Sequence, residues 1–357
     1  MARRAKKEWA RAIVRCLLAL DASLVAAFAL AQDAPAVGLQ PDVTFSEYSP
    51  LSSDSEIVRR SLSPLAMAEA RRVLARSGKT LSGQSIDLSE EKFAVYVPPQ
   101  APPRGYALLV FVPPWQNARL PQGWASVLDQ YGVIFVSAAR SGNDENILGR
   151  REPLALIAAQ NIIHRYAVDP GRIYIGGFSG GSRVALRIAL SYPDVFRGAL
   201  LNAGSDPIGA GGITPPSKEL FLQFQNSTRL VYVTGDEDLG HLGMAAVSMR
   251  SMQEWCVFDV DAEVTARAGH EVAGPAALSR ALEALLNPIQ PDPDKLAACR
   301  SVYEADVTAE LQQAQTLIAG GRRDDAQNLL MEINRRFGGL AAPRAVEMQS
   351  ELDQSAR

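Results

Sequence analysis

The chain has 357 residues, 47% of them hydrophobic, and a formal net charge of −3 at neutral pH. A chain of this length can form one large hydrophobic core with smaller appendages. Basic residues do not cluster along the chain outside the N-terminus, so we do not expect it to bind nucleic acid.

The N-terminal segment has the organisation of a secretory signal peptide. Basic side chains crowd residues 1–15, an apolar, alanine-rich run covers 16–31, and a small-x-small cleavage signal ends at Ala31. The apolar run is short for a membrane span, and Asp21 interrupts it. We therefore predict an exported protein, periplasmic or secreted, with no stable membrane span. Removal of residues 1–31 takes away six basic and two acidic side chains and leaves a net charge of −7.

Residues 32–80 predict a partly helical N-terminal extension. Residues 32–53 are rich in Pro, Ser and Asp, which is typical of an exposed, extended lead-in. From Asp54 to Ser77 apolar residues recur at helical spacing, and Pro64 divides this run or begins a second helix.

Strand and helix patterns alternate between residues 81 and 290. This alternation predicts an α/β domain with a mostly parallel central sheet and helices on both faces. In such sheets, ligands bind at the carboxyl ends of the strands. Strands are predicted near 92–97, 106–112, 133–138, 172–176, 198–202, 229–234 and 260–267, and helices near 122–130, 151–167, 180–192, 242–256 and 275–286.

A sharp turn is predicted between the strand at 172–176 and the next helix. Its sequence, Gly177-Phe-Ser179-Gly-Gly181, matches the nucleophile elbow G-x-S-x-G. Glycines are expected there because side chains at the flanking positions would clash with the strand and the helix. The turn predicts that Ser179 is a nucleophile and that the N–H of Gly180 is one donor of an oxyanion hole. The alternative is a glycine-rich turn in which Ser179 only caps the helix.

A serine nucleophile needs a neighbouring base, and the chain has only three histidines. His164 precedes the serine in a helical run, and His241 shares a predicted loop with Asp238. His270 lies between the last strand and the last helix of the α/β region, where this architecture places its base. We assign to His270 the role of general base and then general acid.

A carboxylate is expected after the strand at 229–234. Asp238 on that turn is predicted to orient His270 and to stabilise its protonated form. Asp236 on the same turn is the alternative. Either aspartate could also be a solvated turn residue.

The second oxyanion donor is expected in the loop after the strand at 106–112. Pro113 and Pro114 have no N–H to donate, so Trp115 is the first candidate and Gln116 the second. Trp115 could instead wall the substrate pocket or pack in the core.

Together these motifs resemble the α/β-hydrolase superfamily from about residue 93 to residue 286. The segments that support the resemblance are 177–182, 235–238 and 268–270. The order Ser179, Asp238, His270 is the order of that superfamily. Within it the chain is most similar to secreted esterases of the polyhydroxybutyrate-depolymerase and feruloyl-esterase type. The prolines at 113–114 depart from the His-Gly that many relatives have. The resemblance implies an acyl-enzyme mechanism on a carboxylic ester, and it does not name the ester.

Residues 291–357 predict a linker and a C-terminal helical region. Prolines mark the linker at 287–294, and amphipathic runs follow at 302–317, at 323–337 and from Pro343. The pattern resembles one tetratricopeptide-like hairpin. A single repeat leaves an apolar face open, so we expect these helices to dock on the hydrolase domain, on a second subunit or on a partner protein.

Two cysteines, Cys256 and Cys299, remain after the predicted cleavage. In an exported protein they could form a disulfide, or they could be separate buried thiols, and spacing does not decide between the two. No Cys/His cluster has metal-ligand spacing, so no metal and no other cofactor is expected.

The sequence therefore predicts an exported serine hydrolase that cleaves a small or polymeric carboxylic ester. A serine peptidase of the same fold is the first alternative, because the same triad cleaves amides. The second is a non-catalytic interaction protein that uses its C-terminal helices.

Overall fold

The structure is a computed structural model that describes residues 36–354 except positions 79, 82 and 210. The predicted signal peptide, residues 1–31, lies outside the described residues. Within the described ranges, every helix is too short or too polar to cross a bilayer.

One eight-stranded sheet organises the described part of the chain, in the order β1-β2-β4-β3-β5-β6-β7-β8. β1 pairs antiparallel with β2, and β2 pairs antiparallel with β4, whereas all other neighbours are parallel. The strands are β1 Gly38–Val43, β2 Phe93–Val97, β3 Tyr106–Val112, β4 Val133–Ala138, β5 Val168–Phe178, β6 Gly198–Asn202, β7 Arg229–Gly235 and β8 Val260–Thr265. The predicted mostly parallel sheet is therefore confirmed.

Strand β1 adds a sheet pairing to the exposed, extended lead-in that the sequence predicts over residues 32–53. It lies at the edge of the sheet and pairs with β2, with an irregularity between Gln40 and Val43. Pro41 lies within that irregularity. A proline is tolerated at an edge or a bulge, where its missing N–H breaks no central ladder. Pairing with the buried strand β2 thus overrides the low β-propensity of this segment.

Helices cover both faces of the sheet. The α-helices of the described residues are α1 Asp54–Ser61, α2 Pro64–Arg76, α3 Trp124–Tyr131, α4 Glu152–Arg165, α5 Gly180–Ser191, α6 Lys218–Ser227, α7 Leu239–Glu254, α8 Pro275–Leu286, α9 Pro293–Ala319, α10 Arg323–Phe337 and α11 Arg344–Gln354. The predicted division of the N-terminal helical run at Pro64 matches the break between α1 and α2.

The core is divided by the alternation of side chains along the strands. On β3, Leu108 and Val110 belong to the apolar cluster formed with α4 and α5, whereas Leu109 and Phe111 belong to the cluster formed with α3 and α8. Every residue of β3 is buried. A central parallel strand needs such a continuous apolar run because both of its faces are covered.

The C-terminal helices begin earlier than predicted. The sequence places a linker at 287–294, but α9 begins at Pro293. The carboxylate of Asp292 accepts hydrogen bonds from the backbone N–H groups of Asp294 and Lys295. An N-cap aspartate followed by proline at the first helical position is a strong helix start, which the linker prediction overlooked.

Helices α9 to α11 pack on this same chain. Tyr303 on α9 contacts the rings of Phe221 and Trp255, with centroids 6.1 and 5.7 Å away. Cys256 and Cys299 form a disulfide with a Cα–Cα distance of 5.8 Å, which joins the end of α7 to α9. A second subunit or a partner protein for these helices remains a prediction.

Glu152, the first residue of α4, gives a prediction about stability. Its Oε1 accepts hydrogen bonds from Ser61 Oγ at 2.6 Å and Tyr192 OH at 2.8 Å. Burial nevertheless raises the pKa of Glu152 from 4.5 to about 7. The native state therefore holds the proton more tightly than the unfolded chain does, and this stabilisation is complete below pH 4.5 and is lost as the pH rises through 7.

Glu152→Gln keeps an oxygen acceptor for both hydrogen bonds and cannot ionise. Between pH 4 and pH 8 we expect wild type to lose up to ~3 kcal/mol of unfolding free energy relative to this variant. Urea unfolding at several pH values measures the difference. The matched control is Glu332→Gln, a change of an exposed glutamate on α10, which should follow wild type. Parallel curves for wild type and Glu152→Gln would contradict the assignment.

Candidate active site

Ser179 lies at the sharp turn between β5 and α5. Its backbone has φ 54° and ψ −124°, a conformation that L-residues rarely adopt and that costs about 1–3 kcal/mol. The N–H of Ser179 donates to the carbonyl of Asn202 on β6 at 2.9 Å, which helps to hold the strained turn.

Close packing explains the glycines around this serine. A Cβ on Gly177 would lie 2.4 Å from the backbone of Gly181, and a Cβ on Gly181 would lie 2.0 Å from the carbonyl oxygen of Val112. Both distances are far below van der Waals contact with backbone atoms, which cannot move aside easily. The predicted reason for glycine at these positions therefore matches the geometry.

The structure brings Ser179, His270 and Asp238 together. His270 Nε2 is 2.9 Å from Ser179 Oγ, and His270 Nδ1 is 2.7 Å from Asp238 Oδ2. Ser179 follows β5, Asp238 follows β7, and His270 follows β8, so all three lie at the carboxyl ends of parallel strands. The geometry is that of a nucleophile, a base and an orienting carboxylate.

The two candidate aspartates have different partners. Asp238 is bonded to His270, whereas Asp236 Oδ1 accepts the backbone N–H of Ala268 at 3.3 Å. Asp236 thus fixes the loop that carries His270. The geometry favours Asp238 as the orienting carboxylate.

Two opposing effects act on the pKa of Asp238. Burial acts to raise the pKa of Asp238, but hydrogen bonds from His241 and His270 outweigh it and hold the pKa below its usual value. Asp238 is therefore ionised at neutral pH. An ionised carboxylate is what an imidazolium at His270 would need beside it.

His241 is a part of the site to which the sequence analysis gave no role. Its Nδ1 is 2.8 Å from Asp238 Oδ1, and its ring stacks on that of His270 with centroids 4.2 Å apart and an interplanar angle of 16°. Asp238 therefore holds one imidazole with each carboxylate oxygen. The spacing of Asp238 and His241, at positions i and i+3 of a helix start, was the available signal.

A metal ion is the other use that such a cluster suggests. Ligand atoms of Asp238, His241 and His270 lie within 4.8 Å of one another. However, lone pairs of imidazole nitrogens lie in the ring planes, and two nearly parallel rings do not direct them at one point. The arrangement suits two N–H donors to one carboxylate better than a chelated ion.

Of the two predicted oxyanion donors, Gly180 directly follows Ser179 and Trp115 lies on the loop after β3. Among the described residues, no acceptor pairs with the backbone N–H of Gly180 or of Trp115. The Trp115 ring is 6.3 Å from that of Phe178, which is 4.9 Å from the ring of His270. The Trp115 side chain therefore belongs to an aromatic group that reaches His270, and the role of the Trp115 N–H as an oxyanion donor stays a prediction.

Three features together decide the fold: the parallel sheet, the serine on a strained turn after β5, and the aspartate and histidine after β7 and β8. The chain has the α/β-hydrolase fold. This confirms the predicted fold class.

Three comparisons with known proteins were made. No protein-family profile matches the chain. A poly(3-hydroxybutyrate) depolymerase from Ralstonia pickettii is 29% identical over 98 residues, which are 24% of this chain and 20% of the depolymerase. This α/β-hydrolase chain therefore matches only a fifth of the length of that curated relative.

Solved structures with similarity include enzymes of several kinds. A poly(3-hydroxybutyrate) depolymerase from Bordetella parapertussis has a TM-score of 0.40 and 16% identity, over 58% of this chain and 88% of its own. A ferulic acid esterase has a TM-score of 0.41 and 16% sequence identity, over 55% of this chain and 90% of the esterase. Dipeptidyl peptidase 4 from Porphyromonas gingivalis has a TM-score of 0.43 and 16% sequence identity, over 56% of this chain and 34% of the peptidase. Values of this size do not transfer an activity, so the chemistry must come from this chain's own residues.

Substitution of the two aspartates separates their roles. In Asp238→Asn the amide can donate to His270 Nδ1 and stabilise the wrong tautomer, so we expect ester hydrolysis to fall by about 10³–10⁴-fold in kcat. In Asp236→Asn the amide oxygen can still accept from Ala268, so kcat should stay within about threefold of wild type. Initial rates on a p-nitrophenyl ester test this. The reverse ranking would make Asp236 the orienting residue.

His241 gives a second prediction. His241→Phe keeps a ring beside His270 but removes the N–H that holds Asp238, and we expect kcat to fall by about tenfold with little change in KM. His241→Gln, which retains a donor, should recover part of the loss. Thermal unfolding of both variants controls for folding. Equal rates for His241→Phe and wild type would limit His241 to packing.

Proposed function

We propose that this chain is a serine hydrolase that cleaves carboxylic esters through an acyl-enzyme. The observation behind the proposal is the unbroken hydrogen-bond chain from Ser179 Oγ through both ring nitrogens of His270 to Asp238, at 2.9 and 2.7 Å. A helix N-terminus, that of α5, points at the same atoms and favours developing negative charge.

Acylation begins when Ser179 Oγ attacks the ester carbonyl carbon and its proton passes to His270 Nε2. Asp238 stabilises the imidazolium that forms. The negative oxygen of the tetrahedral intermediate accepts hydrogen bonds from the N–H groups of Gly180 and Trp115. His270 then gives its proton to the departing alkoxide, and the alcohol leaves.

Deacylation repeats these steps with water as the nucleophile. His270 accepts a proton from the water, the hydroxide attacks the acyl carbonyl, and the carboxylic acid leaves as Ser179 recovers its proton. The His270 side chain is 40% exposed, which supports direct access of water and substrate to the site.

An ester is the favoured substrate over an amide because its leaving group departs more easily. The names of the Ralstonia pickettii and Bordetella parapertussis relatives and of the ferulic acid esterase support esters as well. A serine peptidase remains the alternative enzyme, and an interaction protein using α9 to α11 remains the alternative without catalysis.

We also propose export to the periplasm or the medium. The basic and apolar organisation of residues 1–31 supports it. The disulfide between Cys256 and Cys299 supports it independently, because disulfides persist in oxidising compartments.

The test compares wild type with Ser179→Ala on p-nitrophenyl esters of increasing acyl length. We expect wild type to hydrolyse short acyl chains and the variant to lose at least about 10³-fold in kcat, because Ser179 is the proposed nucleophile and alanine cannot form the acyl-enzyme. Activity should survive dialysis against EDTA, since hydrogen bonds hold the site together.

Each contrary outcome favours a different alternative. Hydrolysis of p-nitroanilides with no hydrolysis of esters would favour the peptidase. No turnover by folded wild type on either class would favour the interaction protein. Full activity in Ser179→Ala would show that another residue is the nucleophile.

A further inference from the structure

A cavity of about 330 Å³ borders Gly180, next in the chain to the proposed nucleophile. Gly180, the residue after Ser179, forms part of its wall. A group bound in this cavity could therefore belong to the same substrate molecule as a carbonyl carbon held at Ser179. The cavity is positioned to receive part of an ester substrate.

The walls of this cavity contain three arginines and one carboxylate: Arg151, Arg183, Arg187 and Asp206. Arg183 and Arg187 come from successive turns of α5, and Asp206 comes from the loop after β6. The lining therefore has two more positive charges than negative ones. Such a surface attracts anions.

The single carboxylate neutralises only one of these arginines by hydrogen bonding. Arg183 Nη2 and Nε are 2.7 and 2.8 Å from Asp206 Oδ1. Arg187 Nη2 is 3.7 Å from Asp206 Oδ2, which is beyond hydrogen-bond distance. Within the described ranges, Asp206 Oδ2 has no hydrogen-bond partner. Arg183 and Arg187 thus share Asp206 as their counter-ion, and Arg187 makes an ion pair but no direct hydrogen bond with it, so the Arg187 guanidinium can still donate to a bound anion.

Arg151 is a buried cation whose hydrogen-bond partners are neutral. Its side chain is 3% exposed, and it donates to the backbone carbonyls of Ser141 and Pro113 at 3.0 and 2.9 Å. Burial lowers the pKa of Arg151 to about 10 against the opposing effect of Glu145, so it stays charged at neutral pH. A buried charge without an ionic partner is unfavourable, and an anion in the cavity would relieve that.

We propose that this cavity binds a carboxylate on the acyl part of the substrate, so that the preferred substrates are monoesters of short dicarboxylic acids. The inference rests on the proposed esterase function and adds the substrate class. Arginine is suited to this task because its planar guanidinium can bind both oxygens of a carboxylate.

The test uses two esters with the same leaving group and the same chain length, mono-p-nitrophenyl adipate and p-nitrophenyl hexanoate. They differ only at the acyl terminus, which is a carboxylate in one and a methyl group in the other. With the Ser179→Ala rate subtracted, we expect wild type to have about tenfold higher kcat/KM for the adipate ester. The hexanoate ester serves as the measure of esterase activity.

Arg187→Gln should lower the ratio of adipate to hexanoate kcat/KM by about tenfold, and Arg187→Lys by less, since it keeps the charge. The matched control is Arg335→Gln, which removes an exposed arginine from α10 outside the cavity, and the ratio should stay at the wild-type value. Inhibition of the wild-type enzyme tests the same site without depending on whether a variant folds. Free adipate should inhibit hexanoate hydrolysis more strongly than neutral adipamide does.

The outcomes separate this inference from the function on which it rests. Equal or lower kcat/KM for the adipate ester, with normal hexanoate hydrolysis, would overturn the carboxylate site and leave the esterase intact. An unchanged ratio in folded Arg187→Gln would do the same. Serine-independent turnover, or none on either ester, would overturn the esterase and this inference together.

Discussion

The strained backbone of Ser179 is the constraint on which the site depends, and Asn202 is the residue that braces it. The Asn202 carbonyl accepts the N–H of Ser179, its Nδ2 donates to the carbonyl of Val233, and its Oδ1 accepts the N–H of Ala273. Through its backbone carbonyl and its buried side chain, Asn202 therefore joins the elbow, strand β7 and the segment just after His270. The nucleophile and the base keep their distance because one residue on the intervening strand binds both of their loops.

Asp238 plays the matching role on the other side of His270. A carboxylate has two oxygens, and here each binds a different imidazole. If only His270 were bound, the carboxylate could rotate about its χ2 angle and lose its alignment. The second bond, to His241, restricts that rotation, and the stacked ring covers one face of His270. Little extra ordering of the chain is needed for the bond to His241, because Asp238 is also the N-cap of α7, the helix on which His241 lies.

Features set by interactions between residues close in sequence could be predicted, whereas features set by contacts between distant segments could not. The elbow was predictable because glycines at 177 and 181 reflect a local steric conflict. The order of the elements indicated His270 and an aspartate on the turn after β7, and it left Asp236 as the alternative to Asp238. Strand β1 was not predictable, because its pairing with β2 comes from a segment about fifty residues away. The charged cavity was missed for the same reason. Arg183 and Arg187 are visible as a helical pair, but Arg151 approaches them from another element through tertiary packing alone.

The loop after β6 carries Asp206, which lines the arginine-rich cavity, and is held in place by the end of α7 and by the segment just after α10. The peptide N–H of Ile208, two residues after Asp206, bonds to Ser251 Oγ, and its carbonyl accepts the indole N–H of Trp255. The far end of the loop is bonded to Gly339, just beyond α10, through the carbonyl of Pro215. The hydrogen bonds of the triad involve none of these residues. The end of α7 and the segment just after α10 therefore hold the loop that carries Asp206, whereas the strands of the sheet position Ser179, His270 and Asp238. Under the proposed function, changes in this loop and its supports should affect substrate choice before they affect bond cleavage.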